Sequence, residues 1–288
     1  MHRPLSPSEI YPAGVADVDT RFLQLSTGLG VRVAERGPQQ GEPVIMLHGW
    51  GASLYMWRHA FQLLPPYGIR AIGVDLRGYG LSDKPRHRGA YALDKYIADL
   101  EALYESLGLQ RATLVGHSMG GALAVRFALR HPERVRRLVL INPAGLVPLV
   151  YPLLLRAMPR VFTRLVRESF VPRYLIAVIL RRLAYGNPSL VTERDIDEYW
   201  APTQLPGFVH AASAALHEFN WHTLSAEQAA SLAPATMVIL GRNDRLIRKA
   251  GPRAKRLHGA QVLQFDGGHS VHEERPADVY GSVGPFVR

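Results

Sequence analysis

Residues 112–122, Ala112-Thr113-Leu114-Val115-Gly116-His117-Ser118-Met119-Gly120-Gly121-Ala122, decide how this chain is read. A short apolar strand, Ala112–Val115, runs into Gly116. An alanine-rich helix, Met119–Leu129, leaves on the other side and stops at His131-Pro132. A G-x-S-x-G turn between a strand and a helix forces the serine into a strained backbone conformation, and glycines at 116 and 120 remove the side chains that would clash there. The hydroxyl of Ser118 then projects above a sheet, at the N-terminus of the following helix. The partial positive charge of that helix end favours developing negative charge.

Outward from the turn, short apolar strands alternate with helical patterns. Phe22–Ser26 and Val31–Glu35, with Gly28 and Gly30 between them, predict a hairpin. Val44–Leu47 is a strand ending in His48-Gly49-Trp50-Gly51, and Ala71–Val74 ends at Asp75. Apolar residues at 93, 96, 97, 100, 103 and 107 have helical spacing, closed by Gly108. Leu138–Ile141 ends at Asn142-Pro143. The rhythm is lost between about Gly145 and Leu232, where the composition is helical. It returns at Met237–Leu240, followed by a helix to about His258, the strand Val262–Phe265 and a last helical segment after His269. Such alternation predicts an α/β fold with a mostly parallel twisted sheet and helices on both faces. The expected organisation is a core made of residues 1–144 and 233–288, with a helical cap at 145–232.

A serine hydroxyl needs a base, and the base needs a partner that fixes its tautomer. Of twelve histidines, His269 follows a strand through Asp266-Gly267-Gly268, at the carboxyl end where ligands bind in such sheets. His48 reads as a brace for its own loop, His117 as a pocket residue beside the serine, His131 as a helix end and His272 as a helix start. The acid should follow a strand between serine and histidine. Asp244 fits, after Gly241-Arg242-Asn243. The competing position after Leu138–Ile141 holds Asn142, which carries no charge, and Asp266 is cramped against His269. Asp195 and Asp197 read as a solvated helix face. An oxyanion needs two backbone N–H donors, for which Met119 and the His48–Gly51 loop, through Trp50, are the candidates.

Four segments in order resemble the α/β-hydrolase superfamily: His48-Gly49-Trp50-Gly51, Asp75-Leu76-Arg77-Gly78-Tyr79-Gly80-Leu81-Ser82-Asp83, the turn around Ser118, and Gly268-His269 with Glu274-Arg275-Pro276. The resemblance implies a serine hydrolase of esterase or lipase type with a cap and no metal or organic cofactor. Asp75–Asp83 would then be a structural loop near the site entrance. Haloalkane dehalogenases and most epoxide hydrolases of this superfamily carry aspartate where Ser118 stands. Carbon–carbon bond hydrolases of ring-fission products usually have tryptophan after the histidine, where this chain has Ser270. Thioesterase or amidase action, and a receptor that retains the triad, are further alternatives. Gly281, Gly284 and Pro285 predict a short final helix.

The 288 residues hold no cysteine, which excludes disulfides, thiolate zinc sites and a cysteine nucleophile. The net charge is +10, carried by arginine with only four lysines and no nucleic-acid motif. Leu146–Leu155 is too short and too broken by Pro148 and Pro152 to span a bilayer. The chain reads as soluble and cytoplasmic, with a small hydrophobic ester as its partner and no nucleic acid; its oligomeric state is open. Seven arginines (156, 160, 164, 167, 173, 181, 182) face one acid, Glu168, in the first half of the cap. A lipid-touching basic face is one reading of them. The preferred one turns the arginines to water and the apolar residues to the pocket.

Overall fold

The strands join in one eight-stranded sheet in a computed structural model that describes residues 3–148 and 171–288. In chain order they are β1 (Asp19–Gln24), β2 (Gly30–Arg36), β3 (Glu42–Leu47), β4 (Ile69–Val74), β5 (Ala112–His117), β6 (Val135–Ile141), β7 (Ala235–Gly241) and β8 (Gln261–Phe265). Their order across the sheet is β1-β2-β4-β3-β5-β6-β7-β8. β1 and β2 form the hairpin, β2 meets β4 antiparallel, and every later pairing is parallel.

Side chains alternate across the strands, and two cores result. On one face Ile45, Leu47, Leu114, Leu140 and Leu240 pack beneath α2 (Leu93–Ser106) and α3 (Met119–Arg130). On the other, Met46, Val115, Ile141 and Ile239 pack against α1 (Arg58–Leu63) and α10 (Pro276–Val287). The parallel registers align Leu47 with Gly116, His117 with Ile141, Ile141 with Ile239, and Gly241 with Phe265. The loops that leave β3, β5, β6, β7 and β8 therefore open along one rim of the sheet.

Between β6 and β7 the described chain forms α4 (Arg173–Ile179), continued by a π-helical turn to Ala184, then α5 (Glu193–Trp200), α6 (Phe208–Glu218) and α7 (Ala226–Ala230). Ile176, Leu180, Tyr185, Val191, Ile196 and Trp200 make a small core of their own. After β7 come α8 (Gly251–Ala254) and, beyond β8, α9 (Val271–Glu274).

Four expectations are corrected. The helix predicted from β7 to His258 is only the short α8: Lys249 has a positive φ of 58°, and Pro252 fits only a helix's first turn. The final helix is not cut short. α10 runs to Val287 because Pro285 lies in its last turn, and Gly284 lets the helix close on Tyr67, whose ring atoms lie 2.4 Å from where a Cβ would stand. Asp195 is not solvated; it is buried and paired to Arg58 at 3.0 Å. Finally, Tyr174, Leu175, Val178 and Ile179 face solvent, while Arg173 and Arg181 turn toward Glu193, and Arg173 also toward Asp197. The acids of α5 pair with Arg173 and Arg181 and the apolar stripe is left outside, while Arg182 faces water as expected. Arg156, Arg160, Arg164 and Arg167 lie outside the described residues.

Candidate active site

Ser118 occupies φ 51°, ψ −113°, the strained conformation demanded by the turn. Its N–H donates to Ile141 O at 3.1 Å, and its carbonyl accepts from Ala122 and Ala144 N–H, both at 3.0 Å. Close approach explains the flanking glycines: a Cβ on Gly120 would stand 2.0 Å from Leu47 O, and one on Gly116 2.5 Å from Gly120 O. β3 and β5 are adjacent in the sheet, which brings Gly49 against the serine. A Cβ there would lie 3.3 Å from Ser118 Cβ.

Asp244 and His269, 25 residues apart, meet at the ends of β7 and β8. His269 Nδ1 lies 2.8 Å from Asp244 Oδ2, and both side chains are buried. The other carboxylate oxygen accepts from Leu246 N–H at 2.7 Å and Ile247 N–H at 2.9 Å. Burial by itself would raise the pKa of Asp244. The neighbouring imidazole and these hydrogen bonds outweigh it and hold the carboxyl below its ordinary value. An ionised Asp244 fixes the Nδ1–H tautomer and leaves Nε2 as the basic nitrogen. The His269 ring lies beside the elbow, its centroid 4.6 Å from that of His117. Ser118 Oγ and His269 Nε2 are not hydrogen-bonded in this conformation.

The backbone N–H groups of Trp50 and Met119 have no acceptor among the described residues. Met119 is the first residue of α3, where helical N–H groups lack intrahelical partners. Trp50 is anchored by its indole, which donates to Ala212 O on α6 at 2.9 Å. His48 braces its loop, with Nδ1 donating to Gly49 O at 2.8 Å and Nε2 accepting from Leu76 N–H at 2.9 Å. Asp75 receives Arg32 Nε at 2.7 Å and the N–H groups of Leu54 and Leu81, so the segment after β4 is tied down by its own carboxylate.

Two positioning groups were given no role by the sequence. Asn142, at the end of β6, donates through Nδ2 to Gly268 O at 3.1 Å and His269 O at 2.8 Å, and accepts from Gly241 N–H at 3.0 Å. It joins the loop after β7 to the loop after β8. A buried amide at a strand end was the legible signal. Glu274 accepts from Gly268, Gly186 and Asn187 N–H, and Ala184 O accepts from Ser270 N–H at 2.8 Å. The segment between β6 and β7 is thereby fastened to the histidine loop.

His117 donates through Nε2 to His269 O at 3.0 Å. Burial, then the His269 charge, pushes its pKa down to about 3. His272 is likewise buried, with neither ring nitrogen hydrogen-bonded, and its pKa falls well below the ordinary value, chiefly through burial. Neither is a base at neutral pH. Among the described residues, no cluster of His, Asp and Glu is arranged to hold a metal ion, and no helix is long and apolar enough to cross a membrane.

The fold recurs in known proteins. Residues 42–276 match the family model of the alpha/beta hydrolase fold, and the chain belongs to that family. It is 26% identical over 278 residues to the AB hydrolase superfamily protein YfhM of Bacillus subtilis, covering 88% of this chain and 93% of the relative. A 111-residue stretch is 40% identical to epoxide hydrolase B of Mycobacterium tuberculosis, 38% of this chain and 31% of that one. The solved meta-cleavage product hydrolase of Pseudomonas fluorescens superposes with a TM-score of 0.79 at 25% identity, over 92% of this chain and 96% of the other.

Proposed function

We propose that this chain is a serine hydrolase that cleaves carboxylic esters bearing a hydrophobic acyl or alcohol group. Ser118 is the nucleophile, His269 the base and Asp244 the acid that orients it. The observation that carries the reading is the buried 2.8 Å Asp244–His269 contact, set beside a serine held at φ 51°. In this reading Ser118 Oγ turns to His269 Nε2, a contact often left long in unliganded enzymes. His269 takes the hydroxyl proton as Oγ attacks the ester carbonyl. The N–H groups of Trp50 and Met119 receive the oxyanion, each worth about 2.7–4 kcal/mol. His269 then delivers the proton to the departing alkoxide, and the alcohol leaves an acyl group on Ser118. Water, deprotonated by His269, hydrolyses the acyl-enzyme and restores the serine. In this reading the described part of the segment between β6 and β7 caps the site, with Trp50 joined to α6 through its indole.

The test is labelling by a fluorophosphonate probe, followed by turnover of p-nitrophenyl esters of increasing chain length. Labelling at Ser118 and loss of turnover in Ser118→Ala are expected. Turnover that survives in that variant would sink the nucleophile assignment. Hydrolysis of a carbon–carbon bond is the second reading, favoured by the likeness to the meta-cleavage product hydrolase. It predicts faster turnover of a ring-fission dienoate than of any ester.

A further inference from the structure

The chain just beyond the apolar stripe of α4 is hydrogen-bonded to the loop that carries Asp244. Tyr174, Leu175, Val178 and Ile179 are 71%, 41%, 50% and 37% exposed, at positions i, i+1, i+4 and i+5, while Ile176 and Leu180 point inward. Such spacing puts the four side chains on one helix face. One turn further on, the exposed Arg182 gives its carbonyl to Arg245 Nη1. Arg245 begins a strongly basic stretch, with Arg248, Lys249, Arg253, Lys255 and Arg256 all exposed. Among the described residues, none of these five has an ion-pair partner. The acids nearby in the chain are already engaged: Asp244 with His269, Asp266 with Arg242, and Glu193 with Arg173 and Arg181.

We propose that this surface docks on an anionic phospholipid bilayer, with the α4 stripe entering the interface and the 245–256 cations on the headgroups. The two components are those an interfacial helix uses: apolar side chains to bury, and cations beside them that gain from a negative surface. Charge argues against the other occupants. A second copy of a chain at +10 would set one basic stretch against another. A nucleic acid would satisfy the cations but leave four apolar side chains with no complementary surface. The stripe is also close to the site along the chain. Ala184, whose carbonyl holds Ser270, lies five residues after Ile179, and Arg245 follows Asp244. Docking would therefore bring the rim of the sheet toward the lipid. The inference does not depend on the ester reading, because it is read by binding.

The experiment is co-sedimentation of the full chain with vesicles of equimolar phosphatidylglycerol and phosphatidylcholine, against phosphatidylcholine alone, at low and high salt. Retention on the anionic vesicles is expected, lost as salt shortens the reach of the charges. Arg253→Gln with Arg256→Gln should weaken partitioning by about 30-fold, and Val178→Ser with Ile179→Ser by roughly tenfold. Both pairs are surface changes, so melting temperature and turnover of a soluble p-nitrophenyl ester should be unchanged. No retention on anionic vesicles at low salt overturns the proposal, as does retention that ignores the serine pair. Duplex DNA binding of equal strength, insensitive to the serine pair, would assign the cations to a polyanion. A dimer that dissociates on Val178→Ser would assign the stripe to a second copy.

Discussion

Two buried polar clusters meet the chain four residues apart, at His269 and Glu273, and they differ in what they leave open. In one, Asp244 holds His269 Nδ1 and the opposite ring nitrogen has no partner, beside a partly exposed serine hydroxyl. In the other, the Arg58 guanidinium sits between Glu273 and Asp195, with Tyr199 Oη donating to Glu273 at 2.8 Å and Tyr55 Oη to Asp195 at 2.7 Å. Its face lies 4.3 Å above the Tyr55 ring. Burial would lower the Arg58 pKa, but its carboxylate partners raise it above the ordinary value. Every strong valence there is spent on joining α1, α5 and α9. The difference separates chemistry from architecture. A buried charge can react only where one of its bonding positions is unfilled, and a saturated network holds elements together.

Substitutions on the two clusters should therefore part cleanly. Ser118→Ala should cut ester turnover by about 10⁴- to 10⁶-fold, with the thermal midpoint unmoved; a comparable loss of stability would blur the distinction. Asp244→Asn keeps the shape and loses the charge that fixes the tautomer, so kcat should fall about 10⁴-fold in steady-state assays. Arg58→Met should do the converse. It strands two buried carboxylates, and urea unfolding should report a loss of about 3–5 kcal/mol, with kcat of the surviving fold changed far less.

Acid sharpens the comparison from a third side. Unfolded imidazoles protonate near about 6.5, whereas burial holds His117 down to about 3 and His272 well below its ordinary value. Between these limits the unfolded chain binds more protons than the folded one. Stability is thus full above about pH 6.5 and falls on acidification, by up to about 1.4 kcal/mol per pH unit for each imidazole. Urea midpoints between pH 7 and pH 5 check this, and His272→Leu should flatten the slope. The smallest effect belongs to Asn142→Ala, which releases the His269 loop from the loop after β7. A fall in kcat of about tenfold is expected, the worth of one to two hydrogen bonds. Wild-type kcat in this variant would remove Asn142 from the positioning frame.

Much of this was legible in the chain. Strands β3, β5, β6 and β7 announced themselves as apolar runs ending in His48-Gly49, glycine or asparagine, because a parallel strand buried on both faces has no polar side to hide its pattern. The glycines around Ser118 were legible for a related reason: only a backbone without Cβ fits 2.0 Å from Leu47 O. Asp195 was misread because an acid at a helix start looks the same whether water or Arg58 faces it. The turn at Lys249 was missed because a positive φ in a basic residue leaves no mark on composition.

Sequence by itself determined the individual strands, the elbow and the places of Ser118, Asp244 and His269 after strand ends, since each depends on neighbours within a few residues. Tertiary structure decided the rest. The 2.8 Å contact between residues 244 and 269, the clamp by Asn142 and the outward turn of Val178 and Ile179 depend on which distant loop or helix arrives beside each group. Long-range partners are chosen by register and packing across the whole sheet, and no local pattern encodes them.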